Sequence, residues 1–132
     1  MFAPFVEYER RVSRGLQAIE AWRPGSYRDI DLNMLAISSP NNCMCGQLAQ
    51  FVKPEERGNV KGWRSVLKAL GIENADASDF GFAGCGFYDS YGELTAEWRR
   101  QIKAMLALDA ELEDLRSEET TIGQREAELA LA

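Results

Sequence analysis

The sequence predicts a mainly α fold: a small single-domain helical bundle with long irregular loops and a long carboxyl-terminal helix. Three observations carry this expectation. Apolar residues recur at three- and four-residue steps in separate stretches, which gives each stretch one helical face. Turn chemistry divides the stretches, at Pro24-Gly25, at Ser38-Ser39-Pro40-Asn41-Asn42 and at Gly71. The one run that alternates, Ile30 to Ile37, loses its period of two at Leu35 and Ile37.

Pro4 opens the first helix, because a proline at the first helical position gives up no useful donor. Phe5, Tyr8, Val12, Leu16, Ile19 and Trp22 share a face, with Arg10, Arg11 and Arg14 directed elsewhere. The helix stops before Pro24, since the residue preceding a proline is pushed out of the helical region. Ile30 to Ile37 reads as a short extended segment or a single turn. Asn41 or Asn42 caps the next helix, which carries Cys43, Leu48, Phe51 and Val52 inward and ends before Pro54. A charged, glycine-containing loop spans residues 53–62. Val60, Trp63, Leu67 and Leu70 then form a helical face that Gly71 terminates.

Residues 73–89 read as an irregular, partly buried loop with a turn of helix at its start. Ser90-Tyr91-Gly92-Glu93 is a capping box ahead of a long helix. Within it Tyr91, Trp98, Met105 and Leu112 are spaced by sevens, and Leu94, Leu108 and Leu115 take the intervening coiled-coil positions, which Gln101 breaks. Ser117 to Thr121 is the expected interruption, with Thr121 to Gln124 capping a last helical piece. The expected organisation is a compact helical domain over 1–106 and an acidic helical extension over 107–132.

With 132 residues, 45% of them hydrophobic, one domain can bury a sufficient core without staples. The longest apolar runs are too short to cross a membrane. The amino terminus MFAPFVEYERR places its charges after a short apolar start, the reverse of an export signal. A cytoplasmic protein is expected. Histidine is absent, which removes every Ser-His or Cys-His nucleophile and the commonest metal ligand. Residues 1–66 hold 9 Lys+Arg against 7 Asp+Glu, and residues 67–132 hold 6 against 14. An acidic carboxyl half opposes phosphate-backbone binding, although an Arg face on the first helix could act locally. It suits solubility or a basic partner surface.

Cys43, Cys45 and Cys85 are an odd set without a disulfide framework. As thiolates they could hold a soft metal, but structural zinc prefers two intervening residues and four ligands. Small buried thiols packing as apolar groups is the simpler reading. Gly81, Gly84 and Gly86 match neither a dinucleotide fingerprint nor a Walker loop, and Phe82 and Phe87 suggest tight packing instead. Asp76, Asp79 and Asp89 could serve calcium binding or acid-base work, yet solvated turns account for them as well.

Ile30-Asp31-Leu32, Ser38-Ser39, Cys43, Gly46-Gln47-Leu48, Leu70-Gly71-Ile72, Gly81-Phe82 and the run from Tyr91 to Trp98 together carry a likeness. Over residues 15–102 the chain resembles small orphan proteins of actinobacteriophages and actinobacterial prophages. Members tend to have Val-Leu after the cysteine where this chain has Met44-Cys45. The resemblance implies a phage or prophage accessory protein in the host cytoplasm, and transfers no catalytic role to any residue.

The leading expectation is a non-catalytic protein, without cofactor, that binds a host or phage protein through an apolar and acidic helical surface. Trp98, Leu112, Leu115, Glu111 and Asp114 are the candidate contacts, with self-association through the terminal helix as a separate expectation. Nucleic acid and membrane are not expected partners. The second reading is a metal or redox module of Cys43, Cys45 and Cys85. The third is a small acid-base hydrolase or ligand-binding protein using Asp76, Asp79 and Asp89.

Overall fold

The computed structural model describes residues 4–84 and 90–131. Among them all regular structure is helical, and no strand occurs. Four α-helices follow in order: α1 (Pro4–Trp22), α2 (Met44–Leu48), α3 (Val60–Leu70) and α4 (Tyr91–Leu131). Tight 3-10 turns at Ser26–Asp29, Ala49–Phe51, Pro54–Glu56 and Asn74–Phe80 link them. The chain divides into two units, Met1–Gln101 and Ile102–Ala132, so the first ends earlier than the expected residue 106.

In the first unit, α1 buries Tyr8, Val12, Leu16 and Ile19, as its spacing predicts, while Trp22 is half-buried. Arg11 departs from expectation and is buried. Its Nε donates to the Ser78 carbonyl at 2.6 Å and an Nη to the Ala83 carbonyl at 3.1 Å, so the charge ties a loop instead of facing solvent. Gly15 lets α1 approach closely. A methyl there would collide with the Phe80 carbonyl and stand 2.8 Å from the Trp98 ring.

Ile30 to Ile37 forms turns, not a strand. The Asp31 carboxylate accepts from the backbone amides of Asn33 at 3.0 Å and Met34 at 3.3 Å, and that side-chain turn removes the amides from any ladder. Ile30, Leu35 and Ile37 are buried around it. The cap of α2 is Cys43, not Asn41 or Asn42: its sulfur accepts from the Gly46 amide at 3.2 Å. Asn59 caps α3 through the amides of Lys61 and Gly62. The α3 face is rotated from the predicted one, for Val66 and Leu67 are fully buried and Val60 is exposed. Gly71, at φ 75°, closes α3 as expected, with Ile72 donating back to the Leu67 carbonyl at 2.9 Å.

Ser90 opens α4 as the capping box predicts, its hydroxyl accepting from the Glu93 amide at 3.2 Å. The reciprocal acceptor is not Glu93. The Ser90 amide donates to the Tyr8 hydroxyl at 2.7 Å, which joins the cap to α1. The predicted break at Ser117 to Thr121 does not occur. Thr120 and Thr121 direct their hydroxyls to the carbonyls of Arg116 and Ser117 one turn back, so both sit within a continuous helix.

Candidate functional site

Three groups of residues compete for a functional role. The cysteines come first. Cys43 and Cys45 lie at the start of α2, both free and both buried. Burial raises the Cys43 thiol above its usual pKa. Burial, with the neighbouring Cys43 adding to it, raises Cys45 well above. A thiolate is therefore disfavoured at both, which opposes nucleophilic use. Cys85 lies outside the described residues, as does Asp89. Among the described residues, no group of three or more His, Cys, Asp or Glu side chains is placed to hold a metal ion.

Asp76 and Asp79 are exposed on the 3-10 turn Asn74–Phe80, where their carboxylates face water. A groove of about 290 Å³ runs between Ile37, Pro40, Cys43, Trp63, Phe82 and Tyr91, and none of its lining residues is a carboxylate, lysine or arginine. The glycine-aromatic loop is structural as far as it is described. Gly81, at φ 73°, sits against the α1 backbone at Val12, and Phe82 stacks on Trp98 with ring centroids 5.5 Å apart.

Several of the residues that carried the resemblance fasten the turns between Asp31 and Gln47. The Gln47 side chain is buried and accepts from the Asp31 amide at 2.6 Å. It also donates to the carbonyls of Asp31 and Asn42, each at 3.1 Å. Ser39 holds the same turn, its hydroxyl accepting from Asn42 and its carbonyl from Cys43. Gly46 has no room for a side chain beneath the Pro40 carbonyl. One amide group thus fixes a segment that lacks secondary structure of its own.

Trp98, a sequence-predicted contact, is corrected by its burial. It is 0% exposed, and its indole nitrogen donates to the Gly81 carbonyl at 2.6 Å. A fully enclosed ring with its one donor satisfied belongs to the core. The other four candidates, Glu111, Leu112, Asp114 and Leu115, are exposed on α4. Leu112 shows 43% and Leu115 56% of its surface.

These two leucines are part of a longer stripe. Met105 and Leu112 occupy first places, and Leu108, Leu115, Ile122 and Leu129 fourth places, of consecutive heptads. Every residue from 110 to 131 is exposed. The same unit holds 8 Asp+Glu against 3 Lys+Arg. The sequence reading followed the stripe as far as Leu115 and expected an interruption at Ser117 to Thr121; Glu119 and Glu126, which fill first places of the later heptads, hid its continuation. The signal that extends it is the unbroken step of seven from Leu108 through Leu115 and Ile122 to Leu129.

No family model, no curated protein and no solved structure matches the chain. No helix among the described residues is long and apolar enough to cross a membrane.

Proposed function

We propose that this is a non-catalytic accessory protein of phage or prophage origin, acting in a host cytoplasm by binding a host or phage protein through its acidic terminal helix. One observation carries the reading. A continuous helix exposes leucines at heptad spacing among carboxylates, each of its described residues from 110 onward being exposed. An exposed amphipathic helix of this kind is a recognition element in search of a groove or a second helix. Its net negative charge selects a basic partner and would speed the encounter at low salt. Among the described residues no ligand cluster surrounds Cys43 and Cys45, which speaks against the metal alternative, and the exposure of Asp76 and Asp79 speaks against acid-base chemistry.

Capture from actinobacterial lysate, infected and uninfected, tests the reading. The wild-type protein should retain one stoichiometric partner, with retention falling as salt rises. Glu113→Gln/Asp114→Asn should weaken that retention without altering the Trp98 fluorescence of the folded unit. A folded protein that retains nothing, or a partner held equally by this variant and at high salt, would remove the proposal.

A further inference from the structure

We infer that the leucine stripe of the terminal helix is covered by a second copy of this chain, in a parallel, in-register two-stranded coiled coil over residues 105–129. The inference deepens the reading of this helix as a binding element by naming what occupies its apolar face.

The helix has little to sustain it alone. From Ala107 to Ala132 the only oppositely charged neighbours on the helix surface stand three apart (Glu113 with Arg116, Arg116 with Glu119, Arg125 with Glu128), whereas Asp109 and Glu113, and Asp114 and Glu118, are like-charged four apart. Gly123 lies inside it, with nothing near its α-carbon, and Thr120 and Thr121 are poor helix formers. Such a segment takes its helical stability from packing, and here no residue from 110 onward is packed. Six of the eight seam positions between Met105 and Leu129 are large and apolar. At 1.5 Å per residue the seam is roughly 37 Å long, comparable with short natural zippers.

Charge decides between a second copy and another apolar helix, and between two orientations. Beside the seam, Glu111 occupies the seventh heptad place and Arg116 the fifth place of the next heptad. In a parallel pair these places face each other, so Glu111 of each copy meets Arg116 of the other, twice per dimer. The remaining flanking pairs set Glu118 against Gly123, and Arg125 against Ala130, with no like charges opposed. The antiparallel register that seats Leu112 on Leu115 opposes Glu111 to Glu118 while matching Asp109 to Arg116, so its attractions are offset. The flanking places are thus complementary to themselves when the copies run in parallel, although the antiparallel register would seat Glu119 on Leu108 instead of on its own counterpart.

Glu119 and Glu126 are the cost of this arrangement, since each faces its own counterpart across the seam. A charged group at a single such position fixes register at the expense of affinity. The consequence is a dimer of modest strength whose outer positions, Glu113, Asp114 and Glu128, remain free for a basic partner.

Sedimentation equilibrium of the full chain across a concentration series tests the pairing. Wild type should pass from monomer to dimer, Glu119→Leu should tighten the dimer at least tenfold, and Leu112→Glu should abolish it. Glu111→Arg and Arg116→Glu should each weaken self-association, and an equimolar mixture of the two should restore it as a heterodimer. Glu119→Cys, in a Cys85→Ser background, should form an interchain disulfide on mild oxidation. A wild-type chain that stays monomeric at millimolar concentration overturns the inference, as does a mixture no tighter than its components. An antiparallel pairing, seen as absence of the Glu119→Cys cross-link in a proven dimer, overturns the register and with it the charge argument. A wild-type chain that stays monomeric yet still captures its partner would fell this inference alone; a dimer without a captured partner would fell only the proposed function.

Discussion

Trp98 and Leu112 stand two heptads apart on one helix, at the same place in the repeat, and meet opposite fates. Trp98 is enclosed and stacked on Phe82, while Leu112 keeps almost half its surface in water. The contrast extends to the units they belong to. In the first, buried and half-buried polar groups fasten loops whose backbone has no ladder to join: buried Arg11 holds the 3-10 turn, buried Gln47 holds the segment after Ile30, and half-buried Arg99 donates to the carbonyls of Leu32 and Leu35. In the second, nothing is fastened from residue 110 onward. Heptad spacing therefore specifies a helix and a face. It does not specify what covers the face.

The largest expected effect breaks the comparison at its two ends. Trp98→Ala should cost the first unit about 3–5 kcal/mol of unfolding free energy, the range for emptying a large aromatic site. Leu112→Ala should change the same transition by no more than about 0.5 kcal/mol, as exposed substitutions do. Chemical denaturation followed by tryptophan fluorescence measures both. Comparable losses would mean that the leucine is packed in the folded protein.

Next in size is the loop fastening. Gln47→Leu keeps the volume but leaves the Asp31 amide and carbonyl without the glutamine, and the Asn42 carbonyl with the Ala36 amide alone. Each buried group left unpaired costs about 1–3 kcal/mol, tempered by water reaching the partly exposed turn. Gly15→Ala should fall in a similar range, about 1–3 kcal/mol, because the added methyl forces α1 away from the Phe80 backbone and Trp98. Hydrogen exchange would separate the two: the glutamine variant should loosen residues 31–42, and the alanine variant the contact between α1 and the start of α4.

What was legible in the sequence follows from these same residues. The faces of α1 and the start of α4, the Gly71 terminator and the Ser90 cap are local, set by spacing and by side chains within one turn of their targets. The cap of α2 was misassigned because two asparagines precede a cysteine that does the same work with sulfur. Burial of Arg11 was not legible, since its carbonyl partners lie 67 and 72 residues away and an arginine on a helix ordinarily faces water. The placement of Trp98 inside rather than at a binding surface depended on Gly15 and Gly81, whose missing side chains make the space for close contact. The terminal stripe was half legible: its leucines were visible, but the acidic first places at Glu119 and Glu126 masked its continuation.

A thiol experiment sharpens the comparison further. Burial raises the folded-state pKa of Cys43 and Cys45, so their contribution to stability is complete below the ordinary thiol value and is lost as pH climbs through the raised ones. In a Cys85→Ser background, alkylation at neutral pH should be slow and should track unfolding. The thiol contribution to the melting temperature should fall away on the alkaline side of the ordinary thiol value. Rapid modification of both thiols in the native protein would show that the start of α2 opens far more readily than its burial implies.

The smallest effect concerns the surface of the first unit, where Arg100 bonds Glu97 through its Nε at 2.7 Å and also lies 3.7 Å from Glu9. The hydrogen bonds from Arg100 are the main cause of a Glu97 carboxyl below its usual range. A depressed acid stabilises the fold above its unfolded pKa, and the benefit disappears as pH falls from the ordinary glutamate value through the lowered one. Because Arg100 is more than half exposed, solvent screening limits the pair to about 0.2–1 kcal/mol. Glu97→Gln should therefore lower stability slightly at neutral pH and match wild type in strong acid. The difference should shrink in molar salt, which weakens an exposed pair and leaves buried contacts such as Phe82 on Trp98 intact. A salt-insensitive loss would place Glu97 with the buried fasteners rather than with the solvated surface.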